Sequence, residues 1–281
     1  MADLEDPPIS QDDIDAFRRD GVVCLRGVFS QDWRDLIARG IKREMAAPGP
    51  IARDYTPEGG TGRFFGSLVM WRRVPEFEDF VRHGPAAAIA AAAMGSDTAI
   101  FYHDQLLVKE PGTEEVTPWH HDQPYYPVDG EQVASIWLPL DPVARDSAPE
   151  FVAGSHRWGR WFAPRYFKDG TTYYAPAADG LAPTPDIDAH RADYRILGWA
   201  VEPGDGLLFH GLTLHGAPGN ASAVHRRRAY ATRWLGDDAH YAERPGEISP
   251  PIDGHGLAPG DAMACAMFPV IWRRAEEGGS A

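Results

Sequence analysis

A His-x-Asp pair near the middle of the chain combines two residue types that can bind ferrous iron together. His120 and Asp122 lie within residues 117–126, TPWHHDQPYY. On an extended strand, side chains two residues apart point to the same side, so the imidazole and the carboxylate could converge on one ion. With one further histidine they would form the two-histidine, one-carboxylate set, which leaves positions on iron open for oxygen and substrate.

The third ligand is expected downstream, where His210, His215 and His225 all lie between residues 207 and 228. The spacing alone does not show which of these three histidines is the third ligand. His121 should point to the opposite side of the strand from its neighbours and is interpreted as a packing histidine.

Composition favours a well-packed enzyme or binding protein over a disordered chain or a nucleic-acid-binding protein. The 281 residues are 43% hydrophobic, and the net charge of −14 argues against a basic nucleic-acid surface. The two cysteines are far apart and form no metal or redox motif. With no signal-peptide pattern and no apolar run of about 20 residues, we expect a cytoplasmic protein with no nucleic-acid or membrane partner.

The first of the elements that must position these side chains is a mainly helical N-terminal region (residues 1–97), called the helical front below. Ser10 is a good N-cap and Gly21 a good stop for a helix between them. Helices are predicted at Gln11–Asp20, from residue 31 to before Pro48, at Pro75–His83 and at 85–94, with a strand at Val22–Leu25. The glycine-rich segment 55–65 is predicted to be a loop closing on Phe64 and Phe65.

From residue 98 the pattern changes to short strands broken by turns. They are predicted at 99–102, 106–108, 133–140, 151–152, 200–201, 207–210 and 229–235, and His103 with Asp104 is interpreted as a turn or as pocket lining. The sequence therefore predicts one α+β domain with a β-sandwich or barrel core. Its parts would be a mainly helical flank (1–97), the core (98–236) with a loop insertion (157–198), and a C-terminal extension (237–281).

Five short runs, in this order, resemble the phytanoyl-CoA dioxygenase family. They are KEPG at 109–112, PWHHD at 118–122, GSHR at 154–157, PGD at 203–205 and HGAPGN at 215–220. Each run alone is weakly specific, but the five runs in this order and at this spacing are a strong indication of the family. The resemblance implies a double-stranded β-helix (jelly-roll) enzyme that uses Fe(II), 2-oxoglutarate and O2.

The resemblance also implies roles for individual residues. His120, Asp122 and His215 would be the iron ligands. Arg226, eleven residues after His215, would hold the far carboxylate of 2-oxoglutarate with its guanidinium fork, as a lysine could not. Because side chains alternate along a strand, Arg228 would lie on the same face as Arg226. An error in the strand register could therefore exchange the two arginines.

Lys109, Trp137 and Gln105 are the further candidates for contact with the cosubstrate. The chain departs from many family members at Ala217, where they have a serine that binds the same carboxylate. The hydroxyl of Thr213 or Ser222 is the expected substitute.

The activity implied is hydroxylation of an unactivated C–H bond of a small-molecule substrate, a metabolite, with 2-oxoglutarate converted to succinate. Related halogenases lack the carboxylate ligand, so Asp122 favours hydroxylation. Two alternatives stay open: a metal-retaining binding or regulatory protein, and a cupin-type oxygenase that does not use 2-oxoglutarate.

Aromatic residues are the candidates for substrate contact. A cluster lies in the long connection after residue 157: Trp158, Trp161, Phe162, Tyr166, Phe167, Tyr173 and Tyr174. Together with Tyr125, Tyr126, Phe64 and Trp234, these rings could line the mouth of a site. Such a wall would suit an apolar substrate or a quaternary ammonium group.

Overall fold

The computed structural model describes residues 9–56, 58–166, 171–173 and 180–275. Phe167 and Tyr174 lie outside these ranges. The helices are α1 (Gln11–Asp20), α2 (Gln31–Ala46), α3 (Pro75–His83) and α4 (Ala86–Met94). The Ser10 side chain accepts a hydrogen bond from Asp13 N, and Gly21 ends α1 with a φ of 77°, so local capping sets both ends as predicted.

The strands run in chain order as β1 (Val22–Leu25), β2 (Arg53–Asp54), β3 (Phe64–Leu68), β4 (Thr98–Lys109), β5 (Thr117–His120), β6 (Val128–Asp129), β7 (Val133–Pro139), β8 (Glu150–Val152), β9 (Ile196–Leu197), β10 (Gly206–His210), β11 (His215–Ala217), β12 (Arg227–Leu235), β13 (His240–Tyr241) and β14 (Val270–Arg273).

Two antiparallel sheets form the core. The large sheet has the order β1-β10-β7-β12-β4-β3-β2, with β14 also paired to β4, and the small sheet has the order β5-β11-β8-β9. From β4 to β12 the chain passes repeatedly between the two sheets. This is the expected jelly-roll core of an α+β protein, and the predicted fold class is confirmed.

Strand alternation divides the large sheet into a helix-covered face and an inner face. On β12, Tyr230 and Trp234 belong to the core that packs against the helices, and Phe77 of α3 stacks on Tyr230 at 4.4 Å. Ala229 and Ala231 point the other way, toward the small sheet. The helical front therefore covers one face and leaves the inner face for a cavity.

The prediction of a break within β4 is wrong, because this is one strand of 12 residues. His103 lies on its inner face. Asp104 lies on the helix side, where it accepts hydrogen bonds from Met70 N (2.7 Å) and Tyr230 Oη (2.9 Å). With partners available from other elements, a buried carboxylate can continue a strand.

The helical front and the C-terminal segment also add strands to the large sheet. The segment expected to be a loop up to Phe65 instead begins β3 at Phe64, which pairs with Lys109 of β4. The flank supplies β1, β2 and β3, and the C-terminal segment supplies β14.

Candidate active site

Three donor side chains converge between the sheets: His120, Asp122 and His215. One ligand atom from each lies within 4.8 Å of the others, and all three residues are buried. His120 ends β5 and pairs in register with His215, which begins β11. The two sheet strands thus bring residues 95 positions apart in sequence to one point.

Asp122 reaches the cluster from a turn, not from the strand that its spacing suggested. Its backbone is helical, with φ −74° and ψ −47°, and it precedes a short 3-10 helix. The backbone N–H groups of Asp122 and Gln123 both donate to Gly211 O at 2.9 Å. This turn is therefore fixed by the loop between β10 and β11, next to the second histidine.

Backbone carbonyls orient both imidazoles. His120 Nδ1 donates to Pro118 O (2.7 Å), and His215 Nδ1 donates to Thr213 O (2.9 Å). With the proton on Nδ1, the lone pair of each ring is on Nε2. These Nε2 atoms lie 3.4 Å and 3.7 Å from Asp122 Oδ1.

The electrostatics keep Asp122 and His215 deprotonated. Burial alone would raise the pKa of Asp122, but Arg233 and the two histidines outweigh it and hold that pKa well below its usual range. Burial, and after it the neighbouring His120, lowers the pKa of His215 to about 3. Neutral imidazoles and an ionised carboxylate are the state that binds a metal, so the donor set fits ferrous iron.

The second carboxylate oxygen of Asp122 is held separately from the cluster. Ser135 Oγ donates to Asp122 Oδ2 at 2.8 Å, and Arg233 Nε lies 3.4 Å from the same atom. Oδ1 is therefore the atom that remains directed at the two imidazoles.

A cavity of about 730 Å³ opens from this cluster. Around the cluster it is lined by His103, Gln105, Leu107, Thr117, Trp137, Phe151, Phe209, Ala217 and Arg233. The rest of the lining, called the outer chamber below, includes Ile51, Tyr55, Leu68, Tyr125, Tyr126, Tyr166, Tyr173, Glu247 and Ile248. Of the residues expected to contact cosubstrate or substrate, Gln105, Trp137, Tyr125, Tyr126, Tyr166 and Tyr173 therefore lie at the cavity.

Other residues predicted to contact cosubstrate or substrate lie away from the cavity wall. Thr213 donates its hydroxyl to Gly21 O at 2.7 Å. Phe64 is buried beneath the ammonium group of Lys109, 4.5 Å from Nζ. Trp161 packs against the guanidinium of Arg244, and Trp234 lies on the helix-covered face of β12, where its indole donates to Thr232.

The geometry places Arg226, the residue expected to bind 2-oxoglutarate, at the surface. Its side chain is 49% exposed and pairs with Glu110 at 3.1 Å, outside the cavity. Arg228, the other candidate, pairs with Asp141 at 2.6 Å. Arg227, between them, is 6% exposed and lies on the inner face of β12, because the strand begins one residue later than the motif spacing suggests.

Arg227 and Lys109 form a pair of buried basic side chains. They are opposite each other in the β12–β4 register. Arg227 donates to the carbonyls of Ser147 and Pro218, and Lys109 Nζ also donates to Pro218 O, at 3.1 Å. Among the described residues, no carboxylate forms an ion pair with either side chain. Burial lowers the pKa of Arg227 to about 10, and burial with the charge of Arg227 lowers that of Lys109 to about 6.

Comparison with known proteins gives a family. The model of the phytanoyl-CoA dioxygenase (PhyH) family matches residues 17–229. The chain belongs to this family. The predicted enzyme class, a non-haem Fe(II)- and 2-oxoglutarate-dependent dioxygenase, is confirmed by that membership and by the buried cluster of two histidines and an aspartate.

Relatives of this dioxygenase are distant but extend over most of the chain. A 1-deoxypentalenic acid 11-beta-hydroxylase from Streptomyces arenae is 25% identical over 212 residues, 72% of each chain. The α-ketoglutarate-dependent carbocyclase SnoK from nogalamycin biosynthesis has a TM-score of 0.72 at 22% identity, over 93% of this chain and 96% of that one. EctD from S. alaskensis, solved with 2-oxoglutarate and 5-hydroxyectoine, has a TM-score of 0.69 at 20% identity, over 93% and 88%.

Two histidines near the cluster have structural contacts in this dioxygenase. His210 uses both ring nitrogens, with Nε2 2.7 Å from Glu131 O and Nδ1 accepting from Leu212 N at 3.0 Å. His121 packs on the Phe162 ring at 4.7 Å, on the side away from the cavity. In the described part of the chain, no helix is both long and apolar enough to cross a membrane.

The sequence did not indicate three polar residues at the dioxygenase site: Arg233, Ser135 and Thr117. Arg233 and Ser135 come from two different strands, and no motif marks them. Regular pairing of His120 with His215 would place Pro118 opposite Ala217, but a register shift places Thr117 there instead. His103, for which a turn and pocket lining both stayed open, lines the cavity. Thr117 and Ala217 both line the cavity.

Proposed function

We propose that this dioxygenase hydroxylates an unactivated C–H bond of a small, largely apolar metabolite. The observation that carries the proposal is the cavity of about 730 Å³ that joins the buried cluster to an aromatic outer chamber. When bound, iron and 2-oxoglutarate would supply the oxidising chemistry: one oxygen atom of O2 goes to the substrate, the other to succinate, and CO2 is released.

His120, Asp122 and His215 are the residues we assign to iron. Their donor atoms, their fixed tautomers and the ionised carboxylate support this assignment. Because Asp122 supplies the carboxylate ligand that related halogenases lack, no ligand position would be free for a halide. This favours hydroxylation over halogenation.

Arg227 is the residue we assign to the far carboxylate of 2-oxoglutarate, in place of Arg226. A buried guanidinium without a counter-charge is costly, and its charge also disfavours protonation of the neighbouring Lys109. A bound carboxylate would neutralise Arg227 and favour the protonated form of Lys109. Thr117, opposite Ala217 and at the cavity, is the hydroxyl best placed to replace the serine of other family members.

The outer chamber is the part we assign to the substrate. Tyr173 stacks on Tyr166 with ring centroids 4.1 Å apart and meets the edge of Tyr125 at 5.2 Å. The hydroxyl of Tyr125 donates to Arg165 O, so its ring faces the chamber while its polar end is satisfied. Tyrosine faces with Ile51, Leu68 and Ile248 suit an apolar ring system better than a polyanion.

The test is succinate release from 2-oxoglutarate by iron-loaded protein across a panel of apolar metabolites, with product mass measured. Hydroxylation adds one oxygen atom to the product. A product of unchanged mass, or one lighter by two hydrogen atoms, would replace hydroxylation with epimerisation or oxidative ring closure. No 2-oxoglutarate-dependent change in iron spectra under anaerobic conditions would reject cosubstrate binding and leave a binding protein or a cupin-type oxygenase.

A further inference from the structure

Arg233 is a buried guanidinium with an incomplete set of partners. It is 5% exposed. Nε lies 3.4 Å from Asp122 Oδ2 and 3.3 Å from Tyr126 Oη, and Nη2 donates to Gln105 Oε1 at 2.7 Å. Nη1 is buried and has no hydrogen-bond partner among the residues that the structure describes. Buried donors are rarely left in this state, so a missing acceptor is indicated.

His103 lies beside Arg233 and is also short of partners. The two residues face each other in the β4–β12 register. Both ring nitrogens of His103 are buried without a partner in the described ranges, and its ring is held by the edge of Tyr126 at 5.1 Å. Both side chains line the cavity next to the cluster. A ligand oxygen that enters there could satisfy both.

Arg233 also stands in a defined relation to Arg227. The two lie six residues apart on the inner face of β12, which places their Cα atoms roughly 20 Å apart. Only Ala229 and Ala231 come between them on that face. Arg233 lines the cavity, and Arg227 lies beyond the residues that line it. Side chains that lean toward each other across the two alanines could hold a short dicarboxylate between them.

We propose that Arg233, with His103 beside it, binds the carboxylate next to the ketone of 2-oxoglutarate, while Arg227 binds the carboxylate at the other end. The proposal rests on the proposed function. Charge-assisted hydrogen bonds from a guanidinium to a carboxylate are among the stronger polar contacts available to a protein. Arg233 would then link the cosubstrate to the outer oxygen of Asp122 and fix how the two acids sit around the metal.

The test uses full-length protein loaded with Mn(II) in place of iron, so that no turnover interferes, and measures binding by calorimetry. The two probes are 2-oxoglutarate and 2-oxobutyrate, which keeps the 2-oxo acid end but lacks the far carboxylate. Arg233→Gln is expected to weaken both acids roughly 10- to 100-fold, the cost of losing a hydrogen bond to a charged group. Arg227→Gln is expected to weaken 2-oxoglutarate and to leave 2-oxobutyrate unchanged.

Ser135→Ala is the matched control. Ser135 donates to the same oxygen of Asp122 as Arg233 does, but it does not line the cavity. At saturating Mn(II) this variant should weaken both acids much less than Arg233→Gln does. If it weakens them as much as Arg233→Gln, then Arg233 acts only through Asp122 and the proposal is overturned.

The remaining outcomes separate the two proposals. Unchanged binding of both acids by Arg233→Gln would overturn the proposed role of Arg233. Its Nη1 would then be assigned to an oxygen of the substrate instead. Unchanged 2-oxoglutarate binding by Arg227→Gln would instead overturn the cosubstrate site in the proposed function. If Arg233→Gln does not fold, His103→Phe decides: several-fold weaker binding of both acids supports the site, and parental affinity rejects it.

Discussion

Arg227 on β12 lies directly opposite Lys109 on β4, and this places two basic side chains side by side in the interior. Neither is paired with a carboxylate in the described part of the chain, although Arg226 and Arg228 on either side of Arg227 each have one. The three consecutive arginines, residues 226–228, therefore differ in their contacts. The outer two form ion pairs with carboxylates, and the inner one is left for an anion.

Replacing Arg227 should therefore weaken 2-oxoglutarate far more than replacing its neighbour. We expect Arg227→Gln to raise the KM for 2-oxoglutarate roughly 10- to 100-fold, since a hydrogen bond to a charged group contributes about 1.5–3 kcal/mol. Arg226→Gln removes only a half-exposed ion pair, and such pairs contribute about 1 kcal/mol or less. Kinetics at varied 2-oxoglutarate distinguishes them, and a larger effect in Arg226→Gln would restore the motif-based assignment.

Asp122→Ala should remove both iron binding and hydroxylation. The carboxylate is the anionic donor of the cluster, so its loss should exceed the roughly 10- to 100-fold cost of losing a partner outside the donor set. Equilibrium dialysis with Fe(II) under anaerobic conditions measures the metal, and succinate release measures turnover. Parent-level turnover in Asp122→Ala would show that the donor set is misassigned.

His121→Phe is the matched control for the metal cluster. It changes the residue between His120 and Asp122 and keeps an aromatic ring against Phe162. We expect parent-level iron affinity and restoration of activity by Fe(II) after treatment with a chelator. A loss of iron in this variant would give His121 a part in the cluster.

Local sequence was enough to predict the helix ends and most core strands. Ser10 and Gly21 bound α1 through their own backbone and side-chain preferences. The family motif also indicated the three side chains, His120, Asp122 and His215, that the structure brings together. Arg227 was not indicated, because the length of the loop after His215 decides which arginine begins β12, and a shift of one residue turns every side chain to the other face.

Contacts between distant elements account for the other differences. Asp104 continues β4 only because Met70 and Tyr230 supply its hydrogen bonds. Arg233 and Ser135 reach Asp122 from β12 and β7, and nothing in the local sequence of either strand indicates that meeting. Such contacts depend on sheet order, which strand patterns do not specify.

Asp104 should make stability depend on pH. Burial raises the pKa of this carboxyl from 3.8 to about 6, against the opposing effect of its hydrogen bonds. The folded protein therefore holds the proton more tightly than the unfolded chain does. The resulting stabilisation is complete below pH 3.8 and is lost as pH rises through about 6, by roughly 3 kcal/mol.

In Asp104→Asn, the free energy of unfolding should not fall in this way as pH rises. Urea denaturation of parent and variant at several pH values between about 4 and 7 measures it. We expect the free energy of unfolding of the parent to fall relative to the variant across this window. Parallel curves would mean that Asp104 has an ordinary pKa in the folded protein.

Tyr173→Ala should raise the KM for the substrate while Trp161→Ala should not. Tyr173 is stacked on Tyr166 in the outer chamber, so its removal takes an aromatic face away from an apolar ligand, at a cost of roughly tenfold or more in affinity. Trp161 belongs to the same connection between the sheets, but it packs on Arg244 outside the cavity. Kinetics with the substrate found by the succinate screen compares the two, and 2-oxoglutarate affinity should stay at the parent level in both. Equal KM values in the two variants would place the substrate elsewhere than against the tyrosines of the outer chamber.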